Sequence, residues 1–164
     1  MRKIIIILSI FALIVSGCNN SKKRQNSLYG KIYRDLSDIP ELSDYKTQRG
    51  DMLTSDDDEK ELCFEHYRNE NNHNIGILAE IIGRETLHEN WKIAKYKLLD
   101  TINIGKIAEN EFLSVRRYDK DTITEEQTII ISIVSEDKEF NRTIHKAWYV
   151  NLKTEKFEKN EIKR

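Results

Sequence analysis

From Leu62 onward, apolar and polar positions alternate along most of the chain with a period of two. Ile75, Ile77, Ala79 and Ile81 form one apolar row. Ala94, Tyr96, Leu98, Ile102 and Ile104 form another, with Lys95 and Lys97 between them and Asp100 as its polar break. Leu113 and Val115 alternate with Ser114 and Arg116, and Trp148, Val150 and Leu152 alternate near the end. Successive side chains of a strand point to opposite faces, so this rhythm predicts strands with one face buried. The run Thr128 to Val134 is apolar on nearly both faces and predicts a central strand. Lys153 to Lys156 turns the chain before Phe157.

Two stretches read differently. Tyr33, Leu36 and Ile39 lie at helical spacing and predict a short helix before Pro40, whereas Arg49 to Glu61 reads as a loop. Leu87, Trp91, Ala94 and Leu98 fit one face of a helix as well as a strand, and the β-branched pair Thr101-Ile102 tips that segment toward strand. The sum is an α+β fold: an antiparallel meander of about five or six strands with one or two short helices near the N-terminus, or a mainly β fold if the front helix fails.

The beginning of the chain has another character. Met1-Arg2-Lys3 precedes a run from Ile4 to Val15 that only Ser9 interrupts, and small residues follow. A charged start, a short apolar core and small residues are the parts of a secretory signal. The run falls short of the ~20 apolar residues that a spanning helix needs. It ends Val15-Ser16-Gly17-Cys18, which resembles the lipobox of bacterial lipoproteins, with valine where that family prefers leucine. The resemblance covers the first eighteen residues only. It implies cleavage between Gly17 and Cys18, and a diacylglyceryl group on the Cys18 thiolate. At ~0.8 kcal/mol per buried methylene, two or three acyl chains hold a protein on a membrane without a spanning segment. The implied location is the cell envelope, on the non-cytoplasmic side of a membrane, the outer membrane first.

Three parts follow: a leader over 1–17, a lipidated tether over 18–30 and a single β-rich domain over 31–164. The tether carries Lys22-Lys23-Arg24 and reads as a solvated linker. The domain is long enough for a real core. The whole chain has 27 basic and 28 acidic residues; losing Arg2 and Lys3 with the leader leaves a net charge of −3. Such a balance, with export, argues against a nucleic-acid partner.

Candidate chemistry is sparse. With Cys18 lipidated, Cys63 has no partner in the chain, and its setting between Leu62 and Phe64 reads as core. Cys63 and His66 stand three apart, so on a strand they face opposite sides and do not form a nucleophile–base pair. His66, His73 and His88 lack the spacing of a zinc motif. The acids Asp56-Asp57-Asp58-Glu59 are consecutive, whereas a calcium loop alternates its ligands. No Gly-rich phosphate loop and no Gly-x-Ser-x-Gly elbow occurs. No catalytic residue, metal site or cofactor is therefore expected. Trp91 and Trp148 are large enough to be binding platforms, though core packing is the commoner use of tryptophan, and Arg116 is a candidate for an anion. Three functions fit: a non-catalytic envelope module binding a protein or polymer through an exposed patch, a small-ligand carrier with a pocket beside Trp91 or Trp148, and, last, an enzyme.

Overall fold

The computed structural model describes residues 27–54, 58–88, 91–118 and 128–160. Cys18, Gly17 and the basic triplet lie outside the described residues, as do Asp56 and Asp57. The described chain is nearly all β: β1 (Ile32–Tyr33), β2 (Lys46–Met52), β3 (Leu62–Arg68), β4 (Asn74–His88), β5 (Trp91–Gly105), β6 (Glu111–Tyr118), β7 (Thr128–Glu136), β8 (Arg142–Asn151) and β9 (Lys156–Asn160). Sheet A has the order β1-β5-β4-β3-β2, and sheet B the order β6-β7-β8-β9. Every pairing is antiparallel.

This corrects the expected α+β meander in two respects. The described residues form two sheets, and those over 33–39 form no α-helix. The place of the expected front helix is taken by two three-residue 3-10 turns, Leu36–Asp38 and Pro40–Leu42. Asp35 caps the first turn by accepting from the Ser37 N–H at 2.9 Å, while Asp38 accepts from the Arg34 N–H. Pro40 excludes the helical conformation from the residue before it, and Ile39 is extended (φ −110°, ψ 100°). A spacing of three satisfies a 3-10 turn as well as an α-helix, so Tyr33, Leu36 and Ile39 still bury one face.

The stretch read as a loop after Arg49 holds a further correction. Lys46–Met52 is a strand, β2, at the edge of sheet A. All but one of its residues are exposed, so it has no apolar alternation to betray it. Charges on an open edge deter pairing with other chains.

The core lies between the sheets. Leu62, Phe64, Leu78, Leu99, Ile102 and Ile104 of sheet A meet Leu113, Ile129, Ile131, Ile133 and Val150 of sheet B. The other face of sheet A is covered by the segment from Leu28 to Tyr45, which buries Leu28, Tyr33, Leu36, Ile39 and Leu42 against Cys63, Tyr67, Ile75, Ile77, Ala79 and Leu98. Leu28, assigned by the sequence to the tether, thus packs with the domain.

A bulge explains the polar break in the β5 row. Leu78 pairs with Asp100 and Ala79 with Leu98, which leaves Leu99 as an extra residue. An extra residue inverts the facing of everything after it. Tyr96 and Leu98 therefore face the N-terminal segment, whereas Ile102 and Ile104 face sheet B. The Asp100 carboxylate accepts the Phe157 N–H of β9 at 2.8 Å, tying the two sheets together.

Beyond Glu80 and Tyr96, β4 and β5 have no further partner strand among the described residues and continue as a two-stranded arm, with Trp91 opposite His88. The segment 87–100, ambiguous between helix and strand, is strand throughout its described part.

Candidate functional site

The space between the sheets changes character along β3. Its inward row reads Leu62, Phe64, His66, Arg68, so core gives way to polar groups at one end of the sandwich. The inward row of β4 does the same through Leu78, Gly76 and Asn74. At Gly76 the flanking side chains of sheet A close in: a Cβ there would lie 2.6 Å from Phe64 and 2.8 Å from Ile102. Past this constriction an open cleft of about 530 Å³ begins. Sheet A and the β3–β4 turn supply Gln48, Arg49, His66, Arg68, Asn72 and Asn74. The β5–β6 connection and β6 supply Ile107, Ala108, Glu109, Glu111, Phe112 and Leu113.

Hydrogen bonds fix the floor. Asn74 donates its amide hydrogens to the carbonyls of Asn72 (3.0 Å) and Gly105 (2.9 Å). Its Oδ1 is left to accept, and His66 Nε2 lies 2.9 Å away. The imidazole therefore carries its proton on Nε2 and, when neutral, offers Nδ1 as an acceptor. Burial favours that neutral form and lowers the pKa of His66, the Asn74 contact opposes it, and Arg68 and Arg49 lower it further. Arg49 faces His66 across the β2–β3 pair and donates to Asp51 at 2.6 Å. The other carboxylate oxygen of Asp51 is buried without a partner among the described residues. Arg68 makes no ion pair among the described residues. On the opposite wall, Glu111 accepts the Ala108 N–H at 3.1 Å and lies 3.7 Å from His145.

A second polar group lies under the N-terminal segment. Glu65 is buried and accepts the Tyr33 hydroxyl at 2.6 Å and the Tyr67 hydroxyl. Tyr33 stacks on Tyr96 with ring centroids 5.3 Å apart. Burial raises the pKa of Glu65 while both tyrosine hydrogen bonds lower it. Burial also pushes the Cys63 thiol up to about 12, with Glu65 and Glu61 adding to the effect. This group closes the segment onto sheet A and is shielded from solvent.

The residues singled out by sequence do not converge. Trp148 packs from sheet B against the inter-sheet core. Arg116 pairs with Ile130, and Ile130 with Tyr149, on the opposite face of sheet B. The Trp91 backbone belongs to the arm of sheet A. None of the three lines the cleft. Cys63 and His66 face opposite sides of β3, and His73 Nδ1 is 2.9 Å from the Tyr45 hydroxyl. Among the described residues no group of three His, Cys, Asp or Glu side chains could hold a metal ion. The cleft residues Arg49, Arg68 and Asn74 escaped the sequence reading. The signal that could have found them is the inward row of β3, apolar to Phe64 and polar from His66 on.

The face of sheet B turned away from sheet A carries an apolar patch. Phe112 pairs with Val134, and Val134 with Ile144. Phe112 is 41% and Ile144 49% exposed around the buried Val134. Phe112 also lines the cleft, so the two surfaces are continuous.

No protein-family model, curated protein or solved structure matches this chain.

Proposed function

We propose that this chain is an exported lipoprotein, cleaved before Cys18 and held by lipid on the non-cytoplasmic side of an envelope membrane, the outer membrane in the first instance. Its β sandwich is a non-catalytic module that binds an envelope protein or polymer. The supporting observation is the cleft between the sheet edges, continuous through Phe112 with the exposed apolar face of sheet B. A polar groove beside an apolar patch offers both oriented hydrogen bonds and area to bury. A second reading, a small-ligand carrier, draws on the cleft volume of about 530 Å³, which lies within the ~300–1,000 Å³ of ligand pockets.

Cross-linking of the tagged protein in living cells, followed by mass spectrometry, tests the module. One envelope component should be captured reproducibly, and Ile144→Asp or Arg68→Gln should reduce its capture. Capture of nothing specific by well-expressed protein would remove the interaction reading and leave the carrier. Lipidation has its own readout: labelled fatty acid should enter the wild type and not Cys18→Ala. Label retained by the variant would overturn the anchor.

A further inference from the structure

The cleft places opposite charges on opposite walls. Arg49, His66 and Arg68 form one contiguous group on sheet A, because Arg49 is the cross-strand partner of His66 and Arg68 is two positions further along β3. Directly paired residues lie ~5 Å apart and same-face neighbours along a strand ~7 Å apart, so both guanidiniums reach a ligand seated over His66. Asp51 holds one nitrogen of Arg49, and the other donors of that fork stay available. The facing wall bears Glu109 and Glu111, with Ile107 and Leu113 beside them. A simple anion that satisfied the arginines would face two carboxylates. A simple cation would face two guanidiniums. A molecule with both charges meets each wall with its opposite.

Resting on the reading of the domain as a binding module, we infer that the cleft takes a short zwitterionic peptide. Its carboxylate lies between Arg49 and Arg68, and its ammonium faces Glu109 and Glu111. An apolar side chain rests on Ile107 and Leu113. The neutral His66, with Nδ1 free to accept, takes a peptide N–H. Guanidinium is suited to the carboxylate end because its planar fork matches two oxygens at once. The volume of about 530 Å³ suits a ligand of a few residues rather than a long chain.

Isothermal titration of the full chain in detergent with the dipeptide alanyl-leucine tests this. N-acetylated and C-amidated forms of the dipeptide serve as controls. The free dipeptide should bind, and each blocked form should bind roughly tenfold more weakly, as expected for loss of one charge-assisted contact. Arg68→Gln should weaken the free dipeptide by a similar factor while leaving the amidated form unchanged. Glu109→Gln should weaken the free dipeptide and not the acetylated one. Both residues are exposed, and circular dichroism would confirm that the variants fold. No binding at millimolar dipeptide, or equal binding of free and blocked forms, would overturn the assignment. The wider reading fails separately. If the dipeptide does not bind but Arg68→Gln still abolishes cellular capture, the module stands and its ligand is of another class. If neither is affected, both are wrong.

Discussion

Gly76 stands where the apolar core ends and the cleft begins, and replacing it with alanine should destabilise the domain. The added Cβ would lie 2.6 Å from Phe64 Cε2, 2.8 Å from Ile102 Cγ1 and 3.1 Å from Ile102 Cδ1. Favourable carbon contacts lie near 3.5–4.0 Å, so the closest pair overlaps by about an ångström. Neither neighbour has space to yield. Phe64 is fully buried and edges against Phe157 of sheet B at 6.1 Å, while Ile102 sits in the same core. β4 itself is the central strand of sheet A, held on both sides. Overpacking of this kind costs ~1–3 kcal/mol. Against it stands ~0.4–1 kcal/mol from the stiffer unfolded chain. The net loss is about 1–2 kcal/mol, which lowers a urea midpoint by about 0.5–1 M when m is ~2 kcal/mol/M. Tryptophan fluorescence can follow the transition, since Trp148 packs on this core. Phe64→Leu should relieve part of the clash, so the double variant should be less destabilised than the sum of the singles by at least ~0.5 kcal/mol. A Gly76→Ala protein as stable as the wild type, or strict additivity with Phe64→Leu, would refute the close approach.

Three further outcomes follow from the buried groups. Tyr33→Phe removes one of the two tyrosine donors to Glu65 and should cost ~1–3 kcal/mol; hydrogen exchange should accelerate over 28–42, and unchanged exchange there would mean that apolar contacts alone hold the segment. His66 has a lowered pKa in the folded protein, so between that value and the ordinary ~6.5 the unfolded chain binds more protons and stability rises with pH. Denaturation at a series of pH values should show this rise level off above about 6.5 and shrink in His66→Gln; an unchanged slope in the variant would assign it to other groups. Cys63, with its thiol pushed up to about 12 by burial, should resist a thiol reagent at neutral pH until denaturant is added, and prompt labelling of native protein would show that the N-terminal segment opens readily.

Much of this architecture is written in local pattern. The period of two over 75–81 and 113–116, and the doubly apolar run at 128–134, correspond to β4, β6 and the interior strand β7, because burial of one face or both leaves a direct imprint on residue choice. The turn at Lys153 to Lys156 is equally local: Glu155 adopts a positive φ of 54° between β8 and β9. The burial of Cys63 between Leu62 and Phe64 follows from its neighbours. The expected leader and the resemblance to a lipobox rest on linear pattern alone and lie outside the described residues.

Tertiary structure decided the rest. An edge strand such as β2 buries almost nothing, so its polar sequence resembles a loop until β3 supplies its hydrogen bonds. The Leu99 bulge turns a single apparent row, Tyr96 to Ile104, into two rows facing different layers, and only the pairing with β4 reveals which residue is extra. The division into two sheets depends on which strands pair, a long-range matter on which alternation is silent. For the same reason Trp148 and Arg116, both prominent in sequence, lie on opposite faces of sheet B. The cleft joins Arg49, Arg68 and Asn74 to Glu109 and Glu111 across two sheets. A local sequence pattern records whether a residue meets water or apolar groups; it does not record which distant segment stands across the gap.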